Sequence, residues 1–291
     1  MKSRVIITGA SGFIGKSLVR YLSKHQISFY SLSMRSFSKN DIENLEKVFR
    51  TYKPDFVIHL AALVHKRNDS KIKSIKDVFE VNTFYPHLLS KVSSKYQVKK
   101  FIYISSIGVH GDHQISKVSL NENSPIKPSN IYSLSKYNAE RLVISNLIET
   151  STNFSIIRPS IVFGENAPGS FKTIKKIISL GLPLPLKSLV CTRNILHVND
   201  LSELIYKCIY SDSSDNQIFV ASGHSEFSIL QIFRLVSKTY GYKLRSFYLP
   251  KLFLRILVEI VFQRSLYLKL SNNLLIDSSK ARKLLKWKTI I

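Results

Sequence analysis

Over the first 160 residues, short apolar runs alternate with longer stretches in which apolar positions recur at helical spacing. The runs predict strands at 5–8, 28–32, 55–60, 101–104 and 154–157, and the spaced positions predict helices from residue 13 and at 42–52, 75–96 and 131–149. Strand and helix follow each other as they do in right-handed crossover units. The pattern therefore predicts an α/β fold in which a doubly wound parallel sheet carries helices on both faces.

Beyond residue 160 the pattern is less regular. A loop is predicted at 164–169, and the alternating Leu and Pro residues of 182–186 cannot form the interior of a regular element. A helix is predicted at 200–210 and a strand at 217–221. Because this strand resembles the buried strands of the first part, we expect it to return to the main sheet.

These differences divide the chain into domain 1–160 and a smaller domain 161–291, of which about 199–221 returns to the first. From about residue 226 the second domain is predicted to be mostly helical. Its most apolar stretch, 250–262, is too short to span a bilayer, so no transmembrane segment is expected. A packed lid helix is the favoured interpretation of this stretch, and peripheral contact with a membrane surface is the alternative.

Three glycines stand between the first strand and the first helix, at Gly9, Gly12 and Gly15. Gly9 can adopt backbone angles that other residues avoid, Gly12 permits close approach of a pyrophosphate, and Gly15 lets the helix pack on its strand. The unpaired amides at the N-terminus of a helix favour an anion. The sequence therefore predicts a nucleotide-phosphate site at this turn.

The chain is strongly basic, with 43 Lys and Arg against 19 Asp and Glu and a net charge of +24. Such a charge attracts nucleic acids or small anionic substrates. The basic residues are scattered, without a stripe interleaved with aromatic residues, so an anionic small molecule is expected and nucleic acid is not.

The two cysteines, Cys191 and Cys208, are spaced like no metal or redox motif, and we predict no metal site. The N-terminus enters a strand directly, without the apolar core of a signal peptide. We therefore expect a cytoplasmic protein.

Candidate chemistry lies at the start of the predicted helix 131–149, where Tyr132 and Lys136 are four residues apart. Residues at this spacing share one helix face, so the phenol and the ammonium can point into one cleft. A nearby positive charge stabilises a phenolate and lowers its pKa. Tyr132 could then exchange a proton with a substrate oxygen that the hydroxyl of Ser106 also binds.

The ordered motifs of the chain resemble those of extended short-chain dehydrogenases/reductases of the nucleotide-sugar epimerase/dehydratase type. The resemblance rests on the glycine turn, His59-Leu60-Ala61-Ala62, Val81-Asn82, Ser105-Ser106 with Gly111, Tyr132 with Lys136, Arg158-Pro159-Ser160, Arg193 with His197 to Leu201, and the ending Asp277 to Trp287. It covers nearly the whole chain. It implies a Rossmann-type domain for a nicotinamide cofactor, a second domain for a nucleoside-diphosphate sugar, and a homodimer formed through the helices near 75–96 and 131–149.

The resemblance also implies roles for individual residues. Ser106, Tyr132 and Lys136 would be catalytic. The cofactor would contact Gly9, Gly12, Phe13, Ile14, Gly15, Leu60, Ala61, Ala62, Asn82, Tyr132, Lys136 and Pro159. The substrate, a UDP-sugar or another nucleoside-diphosphate sugar, would contact Ser106, Asn166 and Arg193, the last at its diphosphate.

Departures from the family pattern reduce the number of reactions that the chain is expected to catalyse. Ile107 and Gly108 stand where dehydratases carry an acid and a base, and neither residue can titrate. Ile107 also replaces the cysteine of relatives that epimerise carbons 3 and 5. What remains is chemistry at one carbon, which we take to be carbon 4. A 4-keto-sugar reductase is favoured and a 4-epimerase with retained NAD is the alternative.

The cofactor preference rests on Arg35, which follows the second predicted strand where an acidic residue would bind the ribose of NAD. An arginine suits a 2′-phosphate, so NADP(H) is favoured and NAD remains the alternative. The resemblance places Asp41 against the adenine. A non-catalytic dinucleotide-sensing or RNA-associated protein is the remote alternative, against which the presence of both Tyr132 and Lys136 argues.

Overall fold

A computed structural model of the chain describes residues 3–34, 42–64, 74–111, 118–250, 252–253 and 273–290. Arg35, Asp41 and most of the apolar stretch 250–262 lie outside these described residues. The expectations that rest on them therefore stay predictions.

The described residues contain two sheets and the helices that cover them. The strands are β1 (Arg4–Thr8), β2 (Ser28–Leu32), β3 (Phe56–His59), β4 (Lys100–Ile104), β5 (Asn153–Pro159), β6 (Ile161–Phe163), β7 (Thr192–His197), β8 (Gln217–Ala221) and β9 (Glu226–Ser228). The α-helices are α1 (Phe13–Lys24), α2 (Ile42–Tyr52), α3 (Ile75–Phe79), α4 (Tyr85–Lys95), α5 (Ile131–Leu147), α6 (Ser170–Ser179), α7 (Val198–Tyr210), α8 (Ile229–Tyr240) and α9 (Ser279–Leu285). None of these helices combines the length and the hydrophobicity that crossing a membrane requires.

The larger sheet has six parallel strands in the order β2-β1-β3-β4-β5-β8. Successive side chains of a strand point to opposite faces. Val5 and Ile7 accordingly pack with α1, α7 and α9, whereas Ile6 packs with α2, α4 and α5. The predicted doubly wound sheet with helices on both faces is confirmed, and 217–221 joins it as the sixth strand.

The second half of the chain contributes to both sheets. A three-stranded sheet in the order β6-β7-β9, which the sequence pattern did not predict, forms a separate core with α6 and α8. The C-terminal residues instead return to the main sheet, because Trp287 is buried in its core and donates from Nε1 to the Asp200 carbonyl oxygen at 3.0 Å. The second half of the chain thus supplies β8 to the main sheet and packs α7 and α9 against it.

Candidate active site

The glycine turn joins β1 to α1 at the carboxyl end of the sheet, and its backbone leaves no room for a Cβ atom at Gly9 or Gly15. Gly9 has a φ of 75°, and a Cβ atom there would lie 2.7 Å from the backbone nitrogen of Ala61. A Cβ atom on Gly15 would collide with the carbonyl oxygen of Gly9. Gly12 is the N-cap of α1 and no side chain caps this helix, so its first amides remain available to an anion.

Two cavities open at this turn, and both are lined by Gly9, Gly12, Leu60 and Ala62. The outer cavity, of about 320 Å³, is further lined by Ser11, Ser33, Met34, Ala61, Leu63, Val81 and Tyr85. The inner cavity, of about 280 Å³, is further lined by Phe13, Ile14, Gly15, Val64, Ile104, Ser105, Ser106, Tyr132, Lys136, Pro159, Ser160, Val162 and Pro168. The two cavities share the glycine turn, where a pyrophosphate would bind. This arrangement fits a dinucleotide, with one mononucleotide in each cavity.

Asn82 lies behind the cavities and lines neither of them. Its carboxamide accepts a hydrogen bond from the Leu63 N–H at 2.7 Å and donates to the Leu63 carbonyl oxygen at 2.8 Å and to Ser135 Oγ at 3.0 Å. It stands in a π-helical segment, Glu80–Phe84, between α3 and α4. Asn82 therefore ties the loop after β3 to α5, and its predicted contact with the cofactor stays a prediction.

Ser106 and Tyr132 meet at the inner cavity although 26 positions separate them in the chain. Ser106 follows β4 and caps a short 3-10 helix, Ile107–His110, by accepting a hydrogen bond from the Gly108 N–H at 3.1 Å. This bond occupies a lone pair of the Ser106 hydroxyl and leaves its proton to be donated. The Ser106 hydroxyl lies near the phenol of Tyr132 and lowers the pKa of that phenol.

Burial has the largest effect on the pKa of both Tyr132 and Lys136, because it disfavours the charged form of each side chain. It raises the pKa of Tyr132 to about 12 and lowers the pKa of Lys136 to about 7. The nearby Glu140 carboxylate opposes the second shift. The expected lowering of the Tyr132 pKa is thus absent from the protein alone, because desolvation of the phenolate outweighs the lowering effect of the Ser106 hydroxyl.

A buried network behind Lys136 is a feature that sequence reasoning missed. Glu140, one helical turn after Lys136, accepts two hydrogen bonds from Arg158, from Nε at 3.0 Å and from Nη2 at 2.7 Å. Arg158 also donates from Nη1 to His110 Nε2 at 3.1 Å. The position of Glu140 four residues after Lys136 could have indicated a shared face, but its partner on β5 could not be read from spacing.

Two of the predicted substrate contacts lie away from the inner cavity. Asn166 has a φ of 60°, and its N–H donates to Tyr240 Oη at 2.9 Å. It lines a neighbouring open cavity that also touches Phe13. Arg193 lies on β7, opposite Phe227 of β9. Their predicted roles toward a substrate therefore stay predictions.

The inner cavity has a simple chemical lining. Among the described residues that line it, only Tyr132 and Lys136 carry titratable side chains, and the other polar side chains are those of Ser105, Ser106 and Ser160. Ile107 is turned away and packs in a small core with Val220. The described lining therefore offers the Tyr132 phenol and the Lys136 ammonium for proton transfer, and it contains no carboxylate, histidine or cysteine.

The family is decided by a match of most of the chain. A family model described as "NAD dependent epimerase/dehydratase family" matches residues 5–221. The chain belongs to this family. The resemblance that the motifs indicated is confirmed, and the matched range spans the glycine turn, Ser106, Tyr132 and Lys136.

Relatives in this epimerase/dehydratase family include enzymes of different reactions. The chain is 27% identical to UDP-glucose 4-epimerase of Vibrio cholerae over 99% of its own length and 91% of that protein. It is 29% identical to GDP-6-deoxy-D-talose 4-dehydrogenase of Aggregatibacter actinomycetemcomitans over 80% of this chain and 79% of that protein. The solved structure of UDP-glucose 4-epimerase from Thermotoga maritima covers 99% of this chain at 19% identity with a TM-score of 0.74, the match covering 94% of that chain. The similarity to the Thermotoga maritima structure shows that the two chains share a fold.

Proposed function

We propose that this protein is an NADP(H)-dependent reductase of a 4-keto UDP-sugar that serves surface polysaccharide synthesis. It would transfer one hydride to carbon 4 and one proton to the oxygen on that carbon. The first half of the chain would bind the coenzyme in the two cavities, and the sugar nucleotide would enter from residues 161–291. The proposed setting is the cytoplasm, and the proposed assembly is a homodimer through α4 and α5.

The lining of the inner cavity is the observation that carries this proposal. Elimination of water needs a second acid or base beside the tyrosine, and the described lining contains no carboxylate, histidine or cysteine. Reduction of a ketone needs only one proton donor. Tyr132, with a pKa of about 12, holds its proton at neutral pH and is in the protonation state that reduction requires.

The chain's own residues would perform the proton half of the reaction. A bound nicotinamide would supply the hydride. Tyr132 would give its phenolic proton to the carbonyl oxygen as the carbon–oxygen double bond becomes a single bond. Ser106 would hold the same oxygen, and the charged form of Lys136 would stabilise the phenolate that is left. The hydroxyl product then contains one hydride and one proton.

The choice of NADP(H) over NAD is the finer part of the proposal and depends on Arg35. An arginine that follows β2 in the sequence suits the 2′-phosphate that distinguishes the two coenzymes. The outer cavity reaches this strand end through Ser33 and Met34. Arg35→Asp should therefore shift the preference toward NAD, measured as the ratio of kcat/KM for the two coenzymes.

The direct test incubates the purified protein with NADPH and a freshly prepared UDP-4-keto-6-deoxy-N-acetylhexosamine. Loss of the near-ultraviolet absorbance of NADPH, with one alcohol formed per coenzyme consumed, is the expected result. Absence of turnover with UDP- and TDP-linked 4-keto sugars would count against the reductase.

A 4-epimerase is the second candidate, favoured by the likeness to the Vibrio cholerae UDP-glucose 4-epimerase over nearly the whole chain. Tyr132 would remove the proton from the hydroxyl on carbon 4 and later return it. Between the two hydride transfers, the keto intermediate would turn over in the site. This candidate predicts that NAD is released when the protein is denatured, and that UDP-glucose or a UDP-N-acetylhexosamine is converted without added coenzyme. A reductase predicts neither result.

A further inference from the structure

Exposed apolar side chains are concentrated in one part of the second half of the chain. The described residues contain 18 large hydrophobic side chains that are exposed. Eight of them fall within 180–190, 242–250 and 252–253: Leu180, Leu182, Val190, Tyr242, Phe247, Tyr248, Leu252 and Phe253. Single exposed hydrophobic residues are normal on a protein surface, but such a concentration marks a contact site.

Hydrogen bonds join the two segments into one ribbon. The Leu184 N–H donates to the Arg245 carbonyl oxygen at 3.0 Å, and the Phe247 N–H donates to the Leu184 carbonyl oxygen at 3.0 Å. The Ser188 hydroxyl then accepts from the Leu249 N–H at 2.7 Å. We call the described residues of 180–190 and 242–253 the basic-apolar face, because these bonds hold the two segments side by side.

The charges of the basic-apolar face all have one sign. Lys187, Lys243 and Arg245 are exposed on it, and Lys172 and Lys176 are exposed on α6, which ends where the face begins. Neither 170–190 nor 240–253 contains an aspartate or a glutamate. Exposed hydrophobic side chains among basic ones are the combination that lies at the boundary between anionic headgroups and acyl chains.

We propose that the basic-apolar face binds the surface of an anionic lipid bilayer. Leu182 and Tyr248, exposed by 61% and 65%, would enter the headgroup boundary, while Lys187 and Arg245 contact the lipid phosphates. This inference is independent of the sugar reaction proposed above. It would hold the protein at the membrane as a peripheral protein.

Two other occupants fit the face less well. A second copy docked face to face would bring Lys187 and Arg245 against the same residues of its partner, because a twofold interface pairs a patch with itself. The like charges would then repel each other. RNA could bind the basic side chains and stack on Tyr242, Phe247 and Tyr248, but it would leave the exposed aliphatic side chains in water, whereas a bilayer surface covers both kinds.

The test is flotation of the full-length protein with vesicles of phosphatidylcholine alone and with about one-third phosphatidylglycerol, at low and high salt. We expect binding to the anionic vesicles that weakens in high salt. The double variant Lys187→Glu/Arg245→Glu should lose at least about thirty-fold in affinity, since each basic residue at such a surface contributes about five-fold. Leu182→Ser/Tyr248→Ser should also weaken binding to the anionic vesicles. The remaining binding should still depend on salt, because this variant keeps the basic residues.

A matched control separates this face from the net charge of the whole protein. Lys24→Glu/Lys47→Glu changes the charge equally at exposed positions on α1 and α2. The control should bind as the unaltered chain does, and all variants should keep its circular dichroism spectrum and thermal midpoint. The proposal is overturned if the control loses as much affinity, if neutral vesicles bind equally well, or if the variants of the face alter only RNA binding or oligomeric state.

Discussion

The ammonium nitrogen of Lys136, a residue that lines the inner cavity, lies 4.3 Å from the centre of the Tyr103 ring. The ring of Tyr103 stacks in turn on His59 at 5.8 Å, and His59 is bound through Nδ1 to Thr8 Oγ1 at 2.8 Å. The chain of contacts from Lys136 thus runs across three neighbouring strands, β4, β3 and β1. The aromatic ring attracts the ammonium ion, but this attraction is weaker than the hydration that the ion loses on burial.

The pH dependence of stability should report this buried lysine. The pKa of Lys136 is about 7 in the folded chain and 10.5 for an ordinary lysine, so above pH 7 the unfolded chain holds a proton that the folded chain has lost. The free energy of unfolding should therefore rise with pH, by at most about 1.4 kcal/mol per pH unit. Above pH 10 the raised pKa of Tyr132 acts in the opposite direction, since the unfolded tyrosine ionises first.

Chemical denaturation at pH values from 7 to 9 measures this slope, because above pH 9 the buried Cys208 thiol, with its pKa raised to about 12, acts in the opposite direction. Lys136→Met should flatten it, because the methionine has no proton to exchange. Lys91→Met, an exposed lysine on α4, is the control and should leave the slope unchanged. An equal slope in both variants would contradict the assignment to Lys136.

Tyr132→Phe should abolish the chemistry while keeping the site. The variant retains the ring but loses the proton that Tyr132 would donate, so kcat should fall about 10²- to 10⁴-fold. Coenzyme affinity, measured by fluorescence titration, should change little. Tyr137→Phe removes a hydroxyl from the same helix, outside the described lining of the cavities, and should keep full activity. Activity of Tyr132→Phe close to that of the unaltered chain would exclude the proposed acid.

Glu140→Gln should destabilise the protein strongly. Glu140 and Arg158 have side chains that are only 2% and 5% exposed, and removing one charge leaves the other buried without its partner. Such a loss costs about 3–5 kcal/mol in the free energy of unfolding. The double variant Glu140→Leu/Arg158→Met should recover most of this stability, because it removes both members of the buried pair and leaves neither without its partner. A single-variant loss below about 1 kcal/mol in urea denaturation would mean that the pair is weaker than its geometry indicates.

Gly15→Ala should lower the melting temperature more than Gly12→Ala. The new Cβ atom at residue 15 would collide with the Gly9 carbonyl oxygen and lie 2.7 Å from Ala10 Cα, so the turn or α1 must move. At Gly12 the nearest atom is 3.2 Å away, which requires only a small adjustment. We expect about 1–3 kcal/mol for Gly15→Ala, or a fall of several degrees in Tm, and less for Gly12→Ala. The reverse order in differential scanning calorimetry would contradict the packing at this turn.

The sequence alone determined features that depend on neighbouring residues. The alternation of apolar runs and spaced apolar positions predicted the main sheet, because periodicity reports which face of an element is buried. The three glycines between β1 and α1 predicted the turn on which both cavities open. The spacing of Tyr132 and Lys136 predicted one shared helix face, and both side chains line the inner cavity. Local geometry fixes each of these features.

The tertiary structure decided which distant residues meet. It brought Ser106 to Tyr132, placed Arg158 of β5 against Glu140, and assigned the carboxamide of Asn82 to the Leu63 backbone. It also paired the short strands of the second sheet, whose few residues carry too weak a pattern to be recognised. The pKa of Tyr132 was decided in the same way, since burial in the assembled cavity raises it more than the Ser106 hydroxyl lowers it. Residue spacing describes one element at a time, whereas contact and desolvation arise only when the elements pack together.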